Sequence, residues 1–172
     1  MHFVLPFVAF MLLGLDLRRA LPIAVLGIVP DLDVLFLVHR SVSHSVIVIG
    51  LVTFPFFMYS WKFKPEWLST TWLCFLALSS NPILDLFFGF VPVFWPLYPF
   101  SIWLKVGLDV RLGSDFILIP FLNFVQVPTV FNRRNLIEGG LFTSESVIIT
   151  IILMTPIIYR QFNKHFLNRN IS

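Results

Sequence analysis

The sequence predicts an all-α fold, a polytopic membrane helical bundle with about three full spans, a short N-terminal helical hairpin and an irregular interfacial segment. Three observations point there. The chain is 58% hydrophobic and only 12% charged over 172 residues, too few polar groups to cover a soluble globule of that size. Phenylalanine contributes 21 residues, several beside other apolar residues rather than alternating with polar ones, which favours lipid as solvent. Apolar stretches end in charge or interfacial aromatics.

The elements follow in order. Phe3–Leu15 and Ala20–Val29 are too short to cross a bilayer and read as a helical hairpin packed on protein. Pro30 disfavours helical geometry at Val29, so the second helix should end there. Ser45–Trp61 and Trp67–Gly89 approach the ~20 residues of a full span, separated by the charged turn Lys62-Phe63-Lys64-Pro65-Glu66. From 90 to 142 the chain reads as interfacial. Three prolines sit among aromatics in Phe90–Phe100, Val106–Leu112 reads as a short strand or turn, and Phe116–Val130 as an amphipathic or partly inserted helix. A last span covers 144–160, around Val147–Tyr159. No linker or repeat divides residues 1–172, so the chain is one membrane-embedded domain.

Charge sets an expected topology. If each apolar segment reverses the chain, one side carries seven bases and two acids and the other five bases and seven acids. The positive-inside rule makes the first side, with Lys62 and Lys64, cytoplasmic. The expected localisation is an integral protein of the cell membrane. The single cysteine, Cys74, excludes an internal disulfide. The twelve bases are scattered at segment ends and do not interleave with aromatics, so no nucleic-acid partner is expected despite a pI near 9.4.

Polar residues in such a chain are the functional candidates, because ionisable groups in an apolar setting are expensive unless partnered. Asp31 and Asp33 stand in Pro30-Asp31-Leu32-Asp33. In an extended turn they point apart, so one can ligate a metal while the other orients a histidine or a water. Taken alone, they also read as interfacial acids or a helix cap. His39 and His44 are five apart, not on one helical face, but can converge if His44 opens a helix capped by Ser43 and His39 folds back. Arg40 between them is a bidentate donor suited to phosphate. Asn81 and Asp85 are four apart and share a helical face; Asn81 could instead cap a helix started at Pro82. The expected topology places His2, Asp31, Asp33, His39, His44 and Asp85 on the non-cytoplasmic face.

Together the pieces resemble the membrane-bound metal-dependent hydrolase family, also described as LexA-binding, inner-membrane-associated hydrolases. The matching features are an early His2, Pro30–Asp33, His39-Arg40-Ser41-Val42-Ser43-His44-Ser45, Asn81–Asp85 and Trp95-Pro96-Leu97, over roughly the first 100 residues. The heptapeptide is the most specific. The resemblance implies a divalent metal held by His2, Asp31, His39, His44, Asn81 and Asp85, with Asp33 and Arg40 in catalytic roles. One departure matters: Asn81 stands where the family has histidine. An amide oxygen is a harder ligand than imidazole and shifts preference from Zn toward Mg or Mn.

The expected function is a metal-dependent hydrolase acting at the membrane surface on an amphiphilic phosphate ester or lipid-like ester, with membrane lipid as its partner. The sequence leaves the oligomeric state open. The alternatives are a non-enzymatic membrane protein with a structural or partner-recruiting metal site, and a transporter fragment whose Asp85 lines a pathway.

Overall fold

Two short helices open the chain, α1 (Val4–Leu12) and α2 (Leu17–Val25). Gly14 turns between them at φ 91°, a left-handed conformation that costs a glycine nothing. The computed structural model describes residues 1–38, 40–112, 116–131 and 148–159. After α2 the helix does not stop before Pro30. It tightens into a 3-10 stretch, Leu26–Phe36, that carries Pro30 inside it. Such stretches are usually short, and this one holds both acids of the Asp-x-Asp pair.

A second 3-10 turn, Val42–His44, precedes α3 (Val46–Phe63). The N-cap of α3 is Ser45, whose Oγ accepts from the N–H of Val48 at 3.3 Å; Ser43, the cap expected from sequence, serves elsewhere. A turn at Pro65–Trp67 returns the chain into α4 (Leu68–Asp85). The α3–α4 pair is joined by the Ser60 and Thr71 hydroxyls at 2.9 Å. Phe57 fits edge-on against Trp72 and Phe75, with centroids 4.7 and 6.1 Å away. Eighteen residues each makes these helices about 27 Å long, twice the length of α1 and α2.

The buried core lies where the N-terminal hairpin crosses α4. It joins Phe7, Val8 and Phe10 of α1, Ala20, Ile23 and Ala24 of α2, and Ala77 of α4. A fifth helix, α5 (Ile148–Tyr159), adds Ile157 to it. Ala20, Ala24 and Ala77 have no exposed surface, and their small side chains let the backbones approach closely.

Beyond α4 the chain is not helical. Strands β1 (Phe100–Leu112) and β2 (Phe116–Pro128) form an antiparallel hairpin, in register from Phe100 opposite Pro128 to Leu112 opposite Phe116. Its base is tied to the site end of the helices. Val91 and Ile102 exchange both backbone hydrogen bonds at 2.9 Å, and the Leu104 N–H donates to Leu86 O at 2.8 Å. Val93 O in turn accepts from the N–H of Val46 at 2.9 Å. The Trp95–Pro96 peptide between is cis.

These findings overturn the expected fold class. The architecture is mixed: five α-helices and a two-stranded hairpin among the described residues. Only α3 among them is long and apolar enough to cross a membrane, where the sequence predicted three spans. α4 has the length, but Ser, Thr, Asn and Asp punctuate it, and α5 has twelve described residues. Phe116–Val130, expected as an inserted helix, is mostly β2. The expected ends of the last span, 144–147 and 160, and the 132–142 end of the interfacial segment lie outside the described residues.

Candidate metal centre

Four chain segments meet at one end of the α3–α4 pair. The N-terminal residues bring His2, the Leu26–Phe36 stretch brings Asp31 and Asp33, the 40–44 loop brings Arg40 and His44, and the last turn of α4 brings Asn81 and Asp85. His2, Asp31 and Asp85 each offer a ligand atom, all within 4.8 Å of one another. Asp85 lies 3.5 Å from His2 Nε2 through one oxygen and 3.5 Å from His44 Nε2 through the other. His39 lies outside the described residues.

The two acids of the Asp-x-Asp pair face different tasks. Asp31 Oδ1 meets His44 Nε2 at 3.3 Å, and Asp31 Oδ2 accepts from Asn81 Nδ2 at 2.7 Å. Asp33, which is buried, meets a different set of partners. Its Oδ2 accepts from the Ser41 N–H at 2.8 Å and the Ser43 hydroxyl at 3.0 Å, and lies 3.2 Å from His44 Nδ1. His44, without exposed surface, is thus held by a carboxylate at each ring nitrogen.

That clasp decides its charge. Burial works against a charged His44, but the hydrogen bonds to Asp31 and Asp33 and the negative charges of Asp33 and Asp85 push its pKa up to about 9. His2 goes the other way: burial lowers its pKa despite the pull of Asp31 and Asp85. Burial pushes Asp31 up, yet the His44 hydrogen bond, His2 and the Asn81 amide outweigh it and hold the carboxyl below the ordinary aspartate value. The site therefore pairs a charged histidine with a neutral one, and a neutral imidazole is the form that ligates metal.

Asn81 is not a cap. It lies inside α4 without exposed surface, with Pro82 following it within the same helix. Its amide nitrogen donates to Asp31 and, at 3.0 Å, to Gly27 O. Its oxygen, like His2 Nδ1, is buried without a hydrogen-bond partner. Such orphans are uncommon and mark a place for an unseen ion or water.

Arg40 has left-handed backbone, φ 57°, which carries a cost for a non-glycine residue. Its Nε donates to Asp85 Oδ2 at 3.2 Å, and its guanidinium lies over Gly89. A Cβ at Gly89 would overlap Nη1. Gly27 plays the matching part beneath His2, where a Cβ would overlap the His2 carbonyl oxygen. Sequence reasoning did not single out either glycine, nor Ser41. The signal was present in spacing: Gly89 follows Asp85 by four residues and Gly27 precedes Asp31 by four.

The donor set suits a divalent cation. Three carboxylates against Arg40 and the charged His44 leave a formal charge of −1 among the described residues of the cluster. Two carboxylates and a neutral imidazole accommodate Zn, Mn or Mg. No family model matches this chain, and no curated protein or solved structure does either.

Proposed function

We propose that the chain is a membrane-bound, metal-dependent hydrolase acting at the membrane surface on a phosphate ester or lipid-like ester. The observation that carries this reading is the convergence of His2, Asp31 and Asp85 from three separate segments to within 4.8 Å, with Arg40 bonded to one of the three. His2, Asp31 and Asp85 would hold the ion. When bound, a divalent cation supplies Lewis-acid activation of water and substrate oxygen.

The residues divide the remaining work. Arg40 binds substrate phosphate with the N–H groups its Asp85 bond leaves over. His44 Nε2 holds a proton between Asp31 and Asp85 and can give it to a leaving oxygen. Asp33 positions His44 and stabilises its charge. The resemblance of Pro30–Asp33 and His39–Ser45 to the membrane-bound hydrolase family supports the hydrolase reading, although it implies His44 as a metal ligand rather than a proton donor.

Membrane residence rests on α3. Only 17% of its apolar window is buried, unlike the core helix of a soluble protein, and Leu51, Val52 and Phe56 are each more than 60% exposed. Lys62 and Lys64 stand at the end away from the site, and under the positive-inside rule this favours the non-cytoplasmic side for the site.

A second reading is a structural metal that ties the four segments together without turnover. It is favoured by the internal neutralisation of Asp31, Asp33 and Asp85 by His44 and Arg40. Elemental analysis of purified protein loaded with Zn, Mn or Mg, alongside a panel of phosphoester and carboxylester lipids, separates the two. Stoichiometric metal, lost in Asp31→Asn and Asp85→Asn, with turnover on a phosphoester lipid is the expected result. Metal without turnover favours the structural role; a protein that takes up none of the three ions defeats both.

A further inference from the structure

The outer half of the β-hairpin has two unlike faces. By its register, Leu104–Phe124, Val106–Leu122 and Leu108–Pro120 pair on one side, whereas Lys105–Asn123, Gly107–Phe121 and Asp109–Ile119 pair on the other. The first face is wholly apolar and uncovered: Val106 is 62%, Leu108 57%, Leu122 68% and Phe124 59% exposed. No described helix packs along it. On the second face the Phe121 ring covers the bare backbone of Gly107.

A two-stranded ribbon is marginal in water by itself; one with an open apolar face needs a cover. The position of its base indicates which. The hairpin is rooted through Val91–Ile102 and Leu104–Leu86 at the site end of the helices, with Val93 bonded to Val46 at the start of α3, whose exposed apolar surface begins little more than a turn further on, at Leu51. Leu97 there is 81% exposed, and Lys105 sits 4.1 Å above the Trp103 ring, a cation and an amphipathic ring of the kind found at headgroup level. Among the described residues, and beyond the Val91–Ile102 bridge at its base, both outer edges of the ribbon carry backbone groups without a neighbouring strand. Open edges are not tolerated inside hydrocarbon, so the ribbon cannot span the bilayer.

We propose that this apolar face lies flat on the bilayer, as an interfacial ribbon at the site end of α3, and brings lipid headgroups beside the metal centre. Each strand is about 43 Å long, and the face should sink about 5–10 Å, the depth of amphipathic interfacial elements. The inference rests on α3 being in the membrane but not on hydrolysis.

The test uses the full chain in vesicles of phosphatidylethanolamine and phosphatidylglycerol, with Cys74→Ala and one new cysteine carrying an environment-sensitive fluorophore. Labels at Leu108→Cys and Leu122→Cys report the apolar face, Asp109→Cys and Asn123→Cys the polar face, and Val52→Cys on α3 reports membrane residence. The expected result is blue-shifted emission at 108 and 122, quenched severalfold more strongly than at 109 and 123 by lipids brominated near the top of the acyl chain. Adding Val106→Glu should abolish quenching at 108 and leave 52 unchanged. Equal, water-like emission on both faces with quenching at 52 overturns the ribbon but keeps the membrane reading. Absence of quenching at 52 overturns both. Blue-shifted but unquenched labels at 108 and 122, with disulfide cross-links between 122 of two copies, would show that a second chain covers the face instead.

Discussion

Replacing Asn81 with leucine, close in volume and without polar atoms, asks what the amide does. The change removes a 2.7 Å bond to Asp31 and a 3.0 Å bond to Gly27 O, both in a buried setting. A bond to a carboxylate is worth ~1.5–3 kcal/mol and one to a carbonyl ~0.5–1.5 kcal/mol. Removing the unpartnered amide oxygen returns ~1 kcal/mol, so the net loss is about 2 kcal/mol. For a chain of this size that lowers Tm by ~4–8 °C. Because the amide orients a ligand, metal affinity should also fall ~10–100-fold. Thermal melts in detergent, with and without Mn, and a metal titration read both quantities. Asn81→Asp separates donor from ligand. It places a second carboxylate against Asp31, so the metal-free protein should lose stability that Mn restores. If Asn81→Leu melts within about 1 °C of wild type and binds Mn equally well, the amide does not hold Asp31 and this account of the centre fails.

Other consequences are as direct. His44 is protonated up to about pH 9 in the fold against 6.5 in the unfolded chain; its contribution to the metal-free protein is therefore complete below pH 6.5 and drains away as pH rises to about 9. Melts in chelator across that range should show the decline, and His44→Gln should flatten it. Arg40→Lys keeps charge but loses the planar fork, so KM for a phosphoester should rise while metal content holds. The two close-approach glycines should differ. Gly89→Ala meets the tip of a flexible side chain and should mimic Arg40→Lys, whereas Gly27→Ala meets the His2 backbone, which cannot swing away, and should cost ~1–3 kcal/mol together with metal affinity.

Sequence was most informative where burial cost and helical periodicity act locally. The α3–α4 turn at Lys62–Glu66, the shared face of Asn81 and Asp85 and the separate partners of Asp31 and Asp33 follow from spacing and from the expense of polar groups among apolar neighbours. The hairpin was obscured by its lipid-like composition. Phe116–Pro128 interrupts a run of large apolar residues with polar ones only at Asn123 and Gln126, so alternation is visible only when its partner strand is known. Pairing across the chain is not a local property. Ile117, Ile119, Val125 and Val127, with Gly113-Ser114-Asp115 before them, were the strand and turn signals available. Overall hydropathy also overcounted spans, since α4 matches α3 in length but not in apolar continuity. Pro30 misled in the other direction: the chain passes through it by tightening to 3-10 geometry.

The three alanines where α2 crosses α4 set a tolerance for the centre some distance away. Asp31 follows from α2 and Asp85 ends α4, so the separation of these helices fixes how far apart the two carboxylates of the candidate centre stand. Ala20, Ala24 and Ala77 act as shims of minimum thickness, holding that gap as narrow as the backbones allow. Packed interiors transmit displacement rather than absorb it, so a methyl group added at Ala77 is felt as a larger aperture at the carboxylates. The aperture of the candidate centre is thus set by residues that take no part in it.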